Sequence, residues 1–291
     1  MGFERTINGL FVGLITLDTI YLAAGVPNHN QKIVASDFTI AAGGPATNAA
    51  ATFSFLGNSA TVLGALGTHS VAELIKADLA KCRVAIADLT PDFTQLPPIS
   101  SIIVTQSTGE RAVVSINAVK TQVDSNNIPA DILTGVDVVL IDGHQMAVGK
   151  AIAQLAKSKN IPIVIDGGSW KPGFENILPF VNYAICSNNF YPPGCNNINE
   201  VFAYLKKFGI TNIAITRGEK STQYLEHDKI KSIEIHPVEV VDTLGAGDIF
   251  HGAFCYYIMY ETFSNALVAA AKVAANSCQF FGTRLWMKNQ S

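Results

Sequence analysis

The second half of the chain alternates continuous apolar runs with helix-periodic segments. Residues 136–141 and 161–165 are apolar throughout, and residues 147–157 between them have apolar side chains at helical spacing. Two apolar strands joined by such a helix form a βαβ unit, which is typical of a parallel sheet covered by helices on both faces. Further predicted elements are strands at 183–186 and 212–216 and helices at 199–207, 246–260 and 263–281. The pattern predicts an α/β fold with a mainly parallel central sheet.

The first half of the chain does not show this alternation of strands and helices. Residues 10–17 are predicted as a first strand, with Asp18 at its end. Two hairpins are predicted at about residues 19–42 and 99–117, because each contains two apolar runs around a turn-rich segment. We interpret them as a small second sheet beside the active face, acting as a lid or a dimerisation surface; the alternative is that they are ordinary edge strands. The whole chain, 1–291, is interpreted as a single domain.

Composition narrows the possible partners. A chain of 291 residues with 48% hydrophobic content can bury the core of one large domain. A net charge of −3, without any run of Lys and Arg, argues against nucleic acid and acidic membrane surfaces as partners. The 5 cysteines form no C-x-x-C pair, so neither a disulfide framework nor a zinc site is expected. No apolar run is long enough to span a bilayer and no signal-peptide cleavage pattern is present, so we expect a cytoplasmic protein with a small-molecule partner.

The most informative segment is V-D-T-L-G-A-G-D at residues 241–248, where an apolar strand gives way to a helix. Gly245, Ala246 and Gly247 allow the backbone to approach an anion, and the free N–H groups of a helix start carry partial positive charge. A phosphate would repel Asp248 unless a hydroxyl group lay between them, and that hydroxyl group can give its proton to Asp248. The alternative is that the glycines form only a tight turn and that the helix dipole favours Asp248. The segment indicates phosphoryl transfer to an alcohol.

A second candidate segment follows the first hairpin. Gly43 and Gly44 permit close approach by a ligand, and Pro45 suits the first position of an alanine-rich helix. Asn48 would then point from the first turn toward that ligand, and Asp18 would accept hydrogen bonds from polyol hydroxyl groups. The alternatives are that the glycines only form the turn, that Asn48 bonds its own backbone and that Asp18 caps a turn.

Candidate phosphate contacts lie at other strand ends. Thr216 and Gly218 follow a strand, Arg111 lies on the proposed lid as a planar donor suited to phosphate, and Lys171 follows the D-G-G-S-W run that begins at Asp166. A solvated surface role is the alternative for Arg111 and Lys171. The chain contains no G-x-x-x-x-G-K-[ST], no complete G-x-G-x-x-G and no G-x-S-x-G, which disfavours a P-loop, a Rossmann dinucleotide site and a nucleophile elbow.

The two glycine motifs together resemble the ribokinase-like, or PfkB, carbohydrate kinases. The early motif G-G-x-x-x-N comprises Gly43, Gly44 and Asn48, and the late motif D-T-x-G-A-G-D occupies residues 242–248. The D-T-L-G-A-G-D form is particularly similar to ketohexokinase and fructokinase relatives. The resemblance implies a three-layer α/β/α fold with a small β-sheet lid. It also implies transfer of the γ-phosphoryl group of ATP to a hydroxymethyl group, with Mg²⁺ present.

The resemblance also implies a role for each matching position. Asp248 would be the catalytic base, and Gly245, Ala246 and Gly247 would form the anion hole. The acceptor site would comprise Asp18, Gly43, Gly44, Asn48 and Arg111. The nucleotide site would comprise Asn188, Thr216, Gly218, Asn276 and Lys171. Asp242 and Thr243 would belong to a monovalent-cation loop, which adds K⁺ to ATP and Mg²⁺ as an expected cofactor.

Three positions depart from the family pattern. Ser221 ends the T-x-G-x-x-G pattern that begins at Thr216, and Tyr191 stands where N-x-x-E, beginning at Asn188, would have its Glu. Pro45 replaces the Asn that ketohexokinases have after the two glycines. Positioning of Mg²⁺ and phosphate would then rest on water, Lys171 or Asn188.

The sequence therefore predicts an ATP-dependent kinase acting on a hydroxymethyl group of a sugar of ketose or pentose type. Two alternatives stay open, a nucleoside kinase of the same fold and a non-catalytic sugar- or nucleoside-binding protein. The complete G-A-G-D motif argues against the binding protein, because a binder needs no base beside an anion hole. A homodimer through the lid is the oligomer that the family permits.

Overall fold

The computed structural model describes residues 5–235 and 237–288. Its strands are β1 Asn8–Val12, β2 Thr16–Ala23, β3 Asp37–Gly43, β4 Ser59–Gly64, β5 Val84–Asp88, β6 Ile99–Thr105, β7 Arg111–Ser115, β8 Val138–Ile141, β9 Ile163–Gly167, β10 Tyr183–Ser187, β11 Asn212–Arg217, β12 Lys220–Glu226 and β13 Lys229–Ile233. Its α-helices are α1 Pro45–Phe55, α2 Ser70–Lys81, α3 Met146–Ser158, α4 Ile198–Lys206, α5 Ala246–Tyr257 and α6 Phe263–Ser277. Short 3-10 turns lie at Ser125–Asn127, Phe174–Asn176, Leu178–Phe180 and Leu285–Lys288.

The central sheet has nine strands in the order β13-β12-β11-β10-β9-β8-β1-β4-β5. Neighbours from β11 to β5 run parallel, whereas β12 and β13 are added antiparallel at one edge. Every residue of β8 and β9 is buried, which explains why the parallel strands appear in the sequence as unbroken apolar runs. The prediction of a mainly parallel α/β sheet is confirmed.

Helices cover both faces of this sheet. Buried side chains of α1, α2, α5 and α6 share one core with Phe11, Val62 and Leu140. Buried side chains of α3 and α4 form the opposite core. Three layers result, as expected, and the carboxyl ends of the parallel strands meet at one edge, where ligands bind in sheets of this kind. Across the described residues, no helix is both long enough and apolar enough to cross a membrane.

The two predicted hairpins form a separate four-stranded sheet, in the order β3-β2-β6-β7. The pairs β2–β3 and β6–β7 are antiparallel, and β2 joins β6 in parallel. Ile20, Ile102 and Val104 form the small core beneath this sheet, together with Leu244 and Phe281. The interpretation as a second sheet is confirmed, and the alternative of edge strands in the main sheet is wrong.

The first strand is shorter than predicted. Residues 10–17 belong to two strands, because β1 ends at Val12 and Asp18 is the third residue of β2 in the second sheet. Gly13 lies at the break, where a β-carbon would come within 2.0 Å of the Asp142 carboxylate. The placement of Asp18 at the end of a first strand is therefore wrong, although it lies close to Gly43 as expected.

Other boundaries also differ. Three elements were not predicted, β4, α2 and β5, and they continue the parallel βαβ pattern into the first half of the chain. The last helix ends at Ser277, not at 281, and α5 ends at Tyr257, three residues before the predicted 260. Helix ends fray, and apolar spacing continues beyond the last helical residue. Boundaries predicted from this spacing alone therefore fall a few residues too late.

Candidate active site

A hydrogen bond joins the two sequence motifs. Nδ2 of Asn48, in the first turn of α1, donates to Oδ2 of Asp248, in the first turn of α5, over 2.8 Å. The two helices can approach closely because residue 252 of α5 is glycine; a β-carbon there would come within 2.3 Å of the Ala49 carbonyl oxygen. Two polar side chains about two hundred positions apart in sequence are thus fixed beside each other by helix packing.

The start of α5 presents free backbone donors. Gly245 precedes the helix with φ 72°, and Gly247 is exposed with open space where a β-carbon would lie. Within the described chain, the N–H groups of Gly247 and Asp248 have no acceptor. The positive end of the helix dipole adds to these donors. The geometry is that of an anion site beside the Asp248 carboxylate.

The environment raises the pKa of Asp248 to about 7. Burial is the main cause, because it disfavours the charged carboxylate, and the nearby carboxylate of Asp166 adds repulsion. The hydrogen bond from Asn48 and the charges of His251 and Arg111 act in the opposite direction. A carboxyl group with a pKa near neutrality is suited to take a proton from an alcohol and to release it again.

Asp166 and His251 were not predicted as site residues. His251 is buried, and its Nδ1 lies 2.7 Å from the Gly247 carbonyl oxygen and 3.5 Å from Oδ2 of Asp166. Its Nε2 lies 3.1 Å from the Ile185 carbonyl oxygen. These contacts hold the ring between β10, the Asp166 carboxylate and the first turn of α5. Its position three residues after Asp248, on the same helix, was the available sequence signal.

Asp18, Gly43 and Gly44 form one packed unit. Asp18 is 5% exposed and pairs in register with Ala41 of β3. Gly43 lies against its carboxylate, and Gly44 has φ 101° with a hypothetical β-carbon 2.3 Å from the Leu14 carbonyl oxygen. Burial raises the pKa of Asp18 to about 6, against the hydrogen bond with Ser100 and the charge of Arg284. Contacts within the protein thus explain why positions 43 and 44 have no room for a side chain.

Asp142, at the end of β8, ties several elements together. Its Oδ2 accepts the N–H groups of Leu14 and Ala46, and its Oδ1 accepts the N–H group of His144. Burial opposes ionisation, but His144, the N–H group of Leu14 and the charge of Lys171 outweigh it and lower the pKa of Asp142 to about 2. The carboxylate fixes the start of α1, and with it Asn48.

Lys171 is only partly free to reach a phosphate. Its Nζ donates to the Asp142 carbonyl oxygen over 3.2 Å and lies 5.5 Å from the centre of the Phe174 ring. The ammonium group therefore lies at the carboxyl edge of the sheet, next to the Asp142 loop.

Three of the predicted nucleotide residues lie together at the ends of β10 and β11. The N–H group of Asn188 donates to the Thr216 carbonyl oxygen over 2.9 Å, and the Asn188 side chain is exposed. Gly218 has φ 63° with open space around it. Ser221 accepts a hydrogen bond of 2.6 Å from Nη2 of Arg217, so this departure from the family pattern closes the turn through a side chain.

Asn276, the remaining predicted nucleotide residue, lies on α6 and lines a cleft of about 190 Å³. The other lining residues are Ile233, Glu234, Ile235, Val238, Val268, Ala271, Lys272, Ala275 and Gln279. Apolar side chains dominate this lining, as in sites for flat aromatic ligands.

The proposed cation loop is internally bonded. Oδ1 and Oδ2 of Asp242 accept the N–H groups of Leu244 and Gly282, each over 2.8 Å. Nη1 of Arg111 donates to the Thr243 carbonyl oxygen over 3.2 Å and to its hydroxyl over 3.1 Å. Arg111 therefore hydrogen-bonds the loop that precedes α5, although its side chain is exposed. A guanidinium group already holds the oxygen atoms of Thr243, so Asp242 and Thr243 fit a K⁺ ion poorly.

The residues at the edge of the sheet fit a nucleotide-bound Mg²⁺. Among residues 5–235 and 237–288, no cluster of three or more His, Cys, Asp or Glu side chains forms a metal site by itself. Mg²⁺ in kinases needs only one or two protein oxygen ligands, with phosphate and water supplying the rest. Asp166 and the exposed amide of Asn188 are such donors. The mutual repulsion of Asp166 and Asp248 is a second indication, since a divalent cation would relieve it.

The structure brings several of the predicted acceptor and catalytic residues into contact with one another. The predicted nucleotide residues form a separate group at other strand ends and on α6. Asn48 contacts Asp248 and lies 3.7 Å from the position of a β-carbon on Gly245, while Gly43 contacts Asp18. No hydrogen bond within the described chain joins Asn188, Thr216, Gly218 or Asn276 to Asp248. The two groups of residues therefore do not contact each other through hydrogen bonds.

Comparison with known proteins assigns this architecture to a class. The model of the pfkB family carbohydrate kinases matches residues 9–289. Ribokinase of Lactococcus lactis is 23% identical over 94% of this chain and 91% of its own length, and mouse ketohexokinase is 24% identical over 94% and 96%. Ribokinase of Giardia lamblia superposes with a TM-score of 0.80 at 18% identity, covering 97% of this chain and 96% of that one. Arabidopsis thaliana ribokinase, solved with ribose and ATP, gives 0.74 at 21%, covering 96% and 94%.

The chain belongs to the pfkB family of carbohydrate kinases. It is therefore a phosphotransferase that uses ATP and an alcohol group of a sugar. The ribokinase-like fold expected from the sequence is confirmed.

Proposed function

We propose that this kinase transfers the γ-phosphoryl group of ATP to a hydroxymethyl group of a ketose or pentose sugar, with Asp248 as the catalytic base. The observation that carries the proposal is the 2.8 Å hydrogen bond from Asn48 to Asp248, beside the free N–H groups at the start of α5. The proton acceptor and the anion cradle lie in the first turn of α5, and the amide that fixes the acceptor comes from the first turn of α1.

The chemistry then follows from positioning. Phosphoryl transfer passes through a loose transition state in which negative charge spreads over the phosphoryl oxygens. The N–H groups of Gly247 and Asp248 would stabilise this charge, since they are already oriented. Asp248 would hold the acceptor hydroxyl and take its proton as the new bond forms. Mg²⁺, when bound, would neutralise phosphate charge.

The acceptor would lie between Asp18 and Asp248. Asp18 and the amide of Asn48 provide the acceptor and donor groups that sugar hydroxyls need. The names of the relatives, ribokinase and ketohexokinase, support a pentose or ketose. A nucleoside kinase is the second candidate, because a base could extend from the same ribose position.

The nucleotide would bind along the neighbouring strand ends. The cleft beside Asn276 has the apolar lining that suits an adenine ring. Thr216, Gly218 and Asn188 lie at the ends of β10 and β11, where they would contact phosphates. Lys171, next to the Asp142 carbonyl oxygen, would reach the terminal phosphate.

ADP release with ATP, Mg²⁺ and a panel of ketoses, pentoses and nucleosides tests this function. We expect sugar-dependent release, and Asp248→Asn should lower turnover by about a hundredfold or more, the usual scale for a positioned acid or base. A matched control is Asp228→Asn, because Asp228 is an exposed carboxylate whose contact is a surface ion pair with Lys206. Turnover close to wild type in Asp248→Asn would contradict the assigned role. Absence of release with every acceptor would favour the non-catalytic binding protein.

We also propose that two copies associate through the outer face of the second sheet. Tyr21, Phe38, Ile40 and Val114 share that face by strand register, and all are exposed. Apolar faces of this kind on a folded chain mark protein contacts. The opposite face carries Asp18, so a dimer would hold the sheet over the proposed acceptor site.

A further inference from the structure

Arg284 lies in the segment after α6 and connects the acceptor site to its surroundings. Its side chain is largely buried, and the guanidinium group donates hydrogen bonds in three directions. Nη1 donates to Oδ1 of Asn48 over 2.9 Å, Nη2 donates to the Ala42 carbonyl oxygen over 2.7 Å, and Nε donates to Oδ2 of Asp78 over 3.2 Å. The sequence analysis did not single out this residue, because no motif contains it.

The contact with Asn48 determines which way its amide faces. Oδ1 of Asn48 accepts from Arg284 while Nδ2 donates to Asp248, so both ends of the amide are used. Rotating the amide by half a turn would place an N–H group against a guanidinium and an oxygen against a carboxylate. Guanidinium has only donors and an ionised carboxylate only acceptors, so the rotated amide would lose both bonds. Charge on both neighbours makes these bonds stronger than neutral ones.

We propose that Arg284 is a positioning residue for phosphoryl transfer, which fixes the Asn48 amide so that its Nδ2 holds the Asp248 carboxylate toward the acceptor hydroxyl. The proposal rests on the proposed role of Asp248 as the base. Arg284 itself contacts neither reacting group; it acts through Asn48.

A purely structural role is the competing explanation, since Arg284 also ties together α2, β3 and the segment after α6. Loss of such a tie would lower the melting temperature and affect all steps similarly. A positioning role instead predicts that Arg284 and Asn48 act through each other, and the pH profile is a second readout. Because the charge of Arg284 also lowers the pKa of Asp18, the shift of the acid limb is compared with that of Asn48→Ala, which keeps Arg284. The groups facing Asp248 are Asp166, His251, Arg111 and Asn48.

The hydrogen bond from Asn48 is one of the contacts that lower the pKa of Asp248 against burial and Asp166. If the amide is no longer oriented, this pKa rises. Because the base must be ionised, the acid limb of kcat/KM then moves to higher pH. Asn48→Ala removes the same bond and should move the limb in the same direction.

The test is a double-mutant cycle in the full-length chain with Arg284→Gln, Asn48→Ala and their combination. Steady-state ADP release gives kcat and the KM values for acceptor and ATP across the pH range, and circular dichroism gives the melting temperature. We expect Arg284→Gln to lower kcat by about tenfold or more, since small misplacements of a reacting group are costly. In the Asn48→Ala background the same substitution should lower kcat no further.

Arg83→Gln is the matched control. Arg83 and Arg284 line the same cavity of about 600 Å³, but within the described chain the Arg83 guanidinium makes no hydrogen bond. This variant should keep the wild-type acid limb and kcat. Arg284→Lys keeps the charge but cannot bridge the same acceptors, so it should recover folding and only part of kcat; it replaces Arg284→Gln in the cycle if the latter does not fold.

Multiplicative effects of Arg284→Gln and Asn48→Ala, or an unchanged acid limb in Arg284→Gln, would overturn the positioning role. The proposed function fails by a separate result, near wild-type turnover of Asp248→Asn. The two failures are therefore distinguishable in one set of measurements.

Discussion

Gly43 lies so close to Asp18 that a β-carbon at position 43 would come within 2.0 Å of Oδ2 of the carboxylate. The glycine thus sets the position of the buried acid that we propose as part of the acceptor site. A side chain of any size at this position must displace the carboxylate or the strand that carries it.

Gly43→Ala should therefore impair acceptor binding more than nucleotide binding. We expect the acceptor KM to rise about tenfold or more, because one misplaced hydrogen-bonding group costs on the order of 1–3 kcal/mol, while the KM for ATP changes little. Initial-rate kinetics with each substrate varied in turn provides the measurement. Gly25→Ala, in the turn of the same hairpin with no atom within 4 Å of the new β-carbon, is the control and should behave as wild type. A matching rise in the KM for ATP would argue against this interpretation.

The raised pKa of Asp248 makes stability depend on pH. The unfolded chain releases this proton near the ordinary carboxyl pKa of 3.8, whereas the folded protein holds it to about pH 7. Between these values the folded state binds more protons, so the free energy of unfolding falls as pH rises through the interval. Asp18, with its pKa raised to about 6, acts in the same direction.

Asp248→Asn removes the larger of these two contributions. We expect the variant to lose less stability than the wild type between acidic and slightly alkaline pH, measured as the melting temperature in a series of buffers. Asp228→Asn should leave the wild-type slope unchanged above about pH 5, because the ion pair with Lys206 lowers the pKa of Asp228 and its contribution changes only at more acidic pH. A steeper fall in Asp248→Asn than in the wild type would contradict the raised pKa.

The hydrogen bonds from Arg111 to Thr243 lead to a prediction about the response of the activity to monovalent cations. Because its guanidinium already binds the carbonyl and hydroxyl oxygens of Thr243, we expect equal activity in potassium and tetramethylammonium salts at the same ionic strength. Arg111→Ala frees these oxygens, and its activity should then increase with K⁺. Isothermal titration calorimetry with KCl gives a readout independent of turnover. Strong K⁺ activation of the wild type would show that the loop binds the ion despite Arg111.

If two copies associate through the exposed apolar face of the second sheet, one charged side chain introduced on that face should disrupt the dimer. Val114 is 77% exposed in β7, and Val114→Lys should shift the chain toward monomer in size-exclusion chromatography with light scattering. Leu155→Lys changes a comparably apolar, exposed residue on α3 and should have no effect. A wild-type chain that is monomeric at all concentrations would rule out the dimer.

The features that could be predicted from the sequence are those that depend on residues close together in the chain. Apolar runs gave the parallel strands from β8 to β11, and the G-A-G-D motif gave the start of α5, since both depend on neighbouring residues. The contacts of Asp166, His251 and Arg284 depend on three-dimensional packing. Arg284 meets Asn48 over 236 positions, and no spacing rule connects them. The break at Gly13 was missed for the same reason, because its cause is the Asp142 side chain from a distant strand.

The tip of the second hairpin is attached to the loop that begins α5. The N–H group and hydroxyl of Thr243 both donate to the Gly109 carbonyl oxygen, over 3.0 and 2.9 Å. Movement of that hairpin would therefore pull on the phosphate cradle. Opening of this hairpin to release a product would then also disturb the backbone donors at the start of α5, which links departure of the product to loss of the proposed anion site.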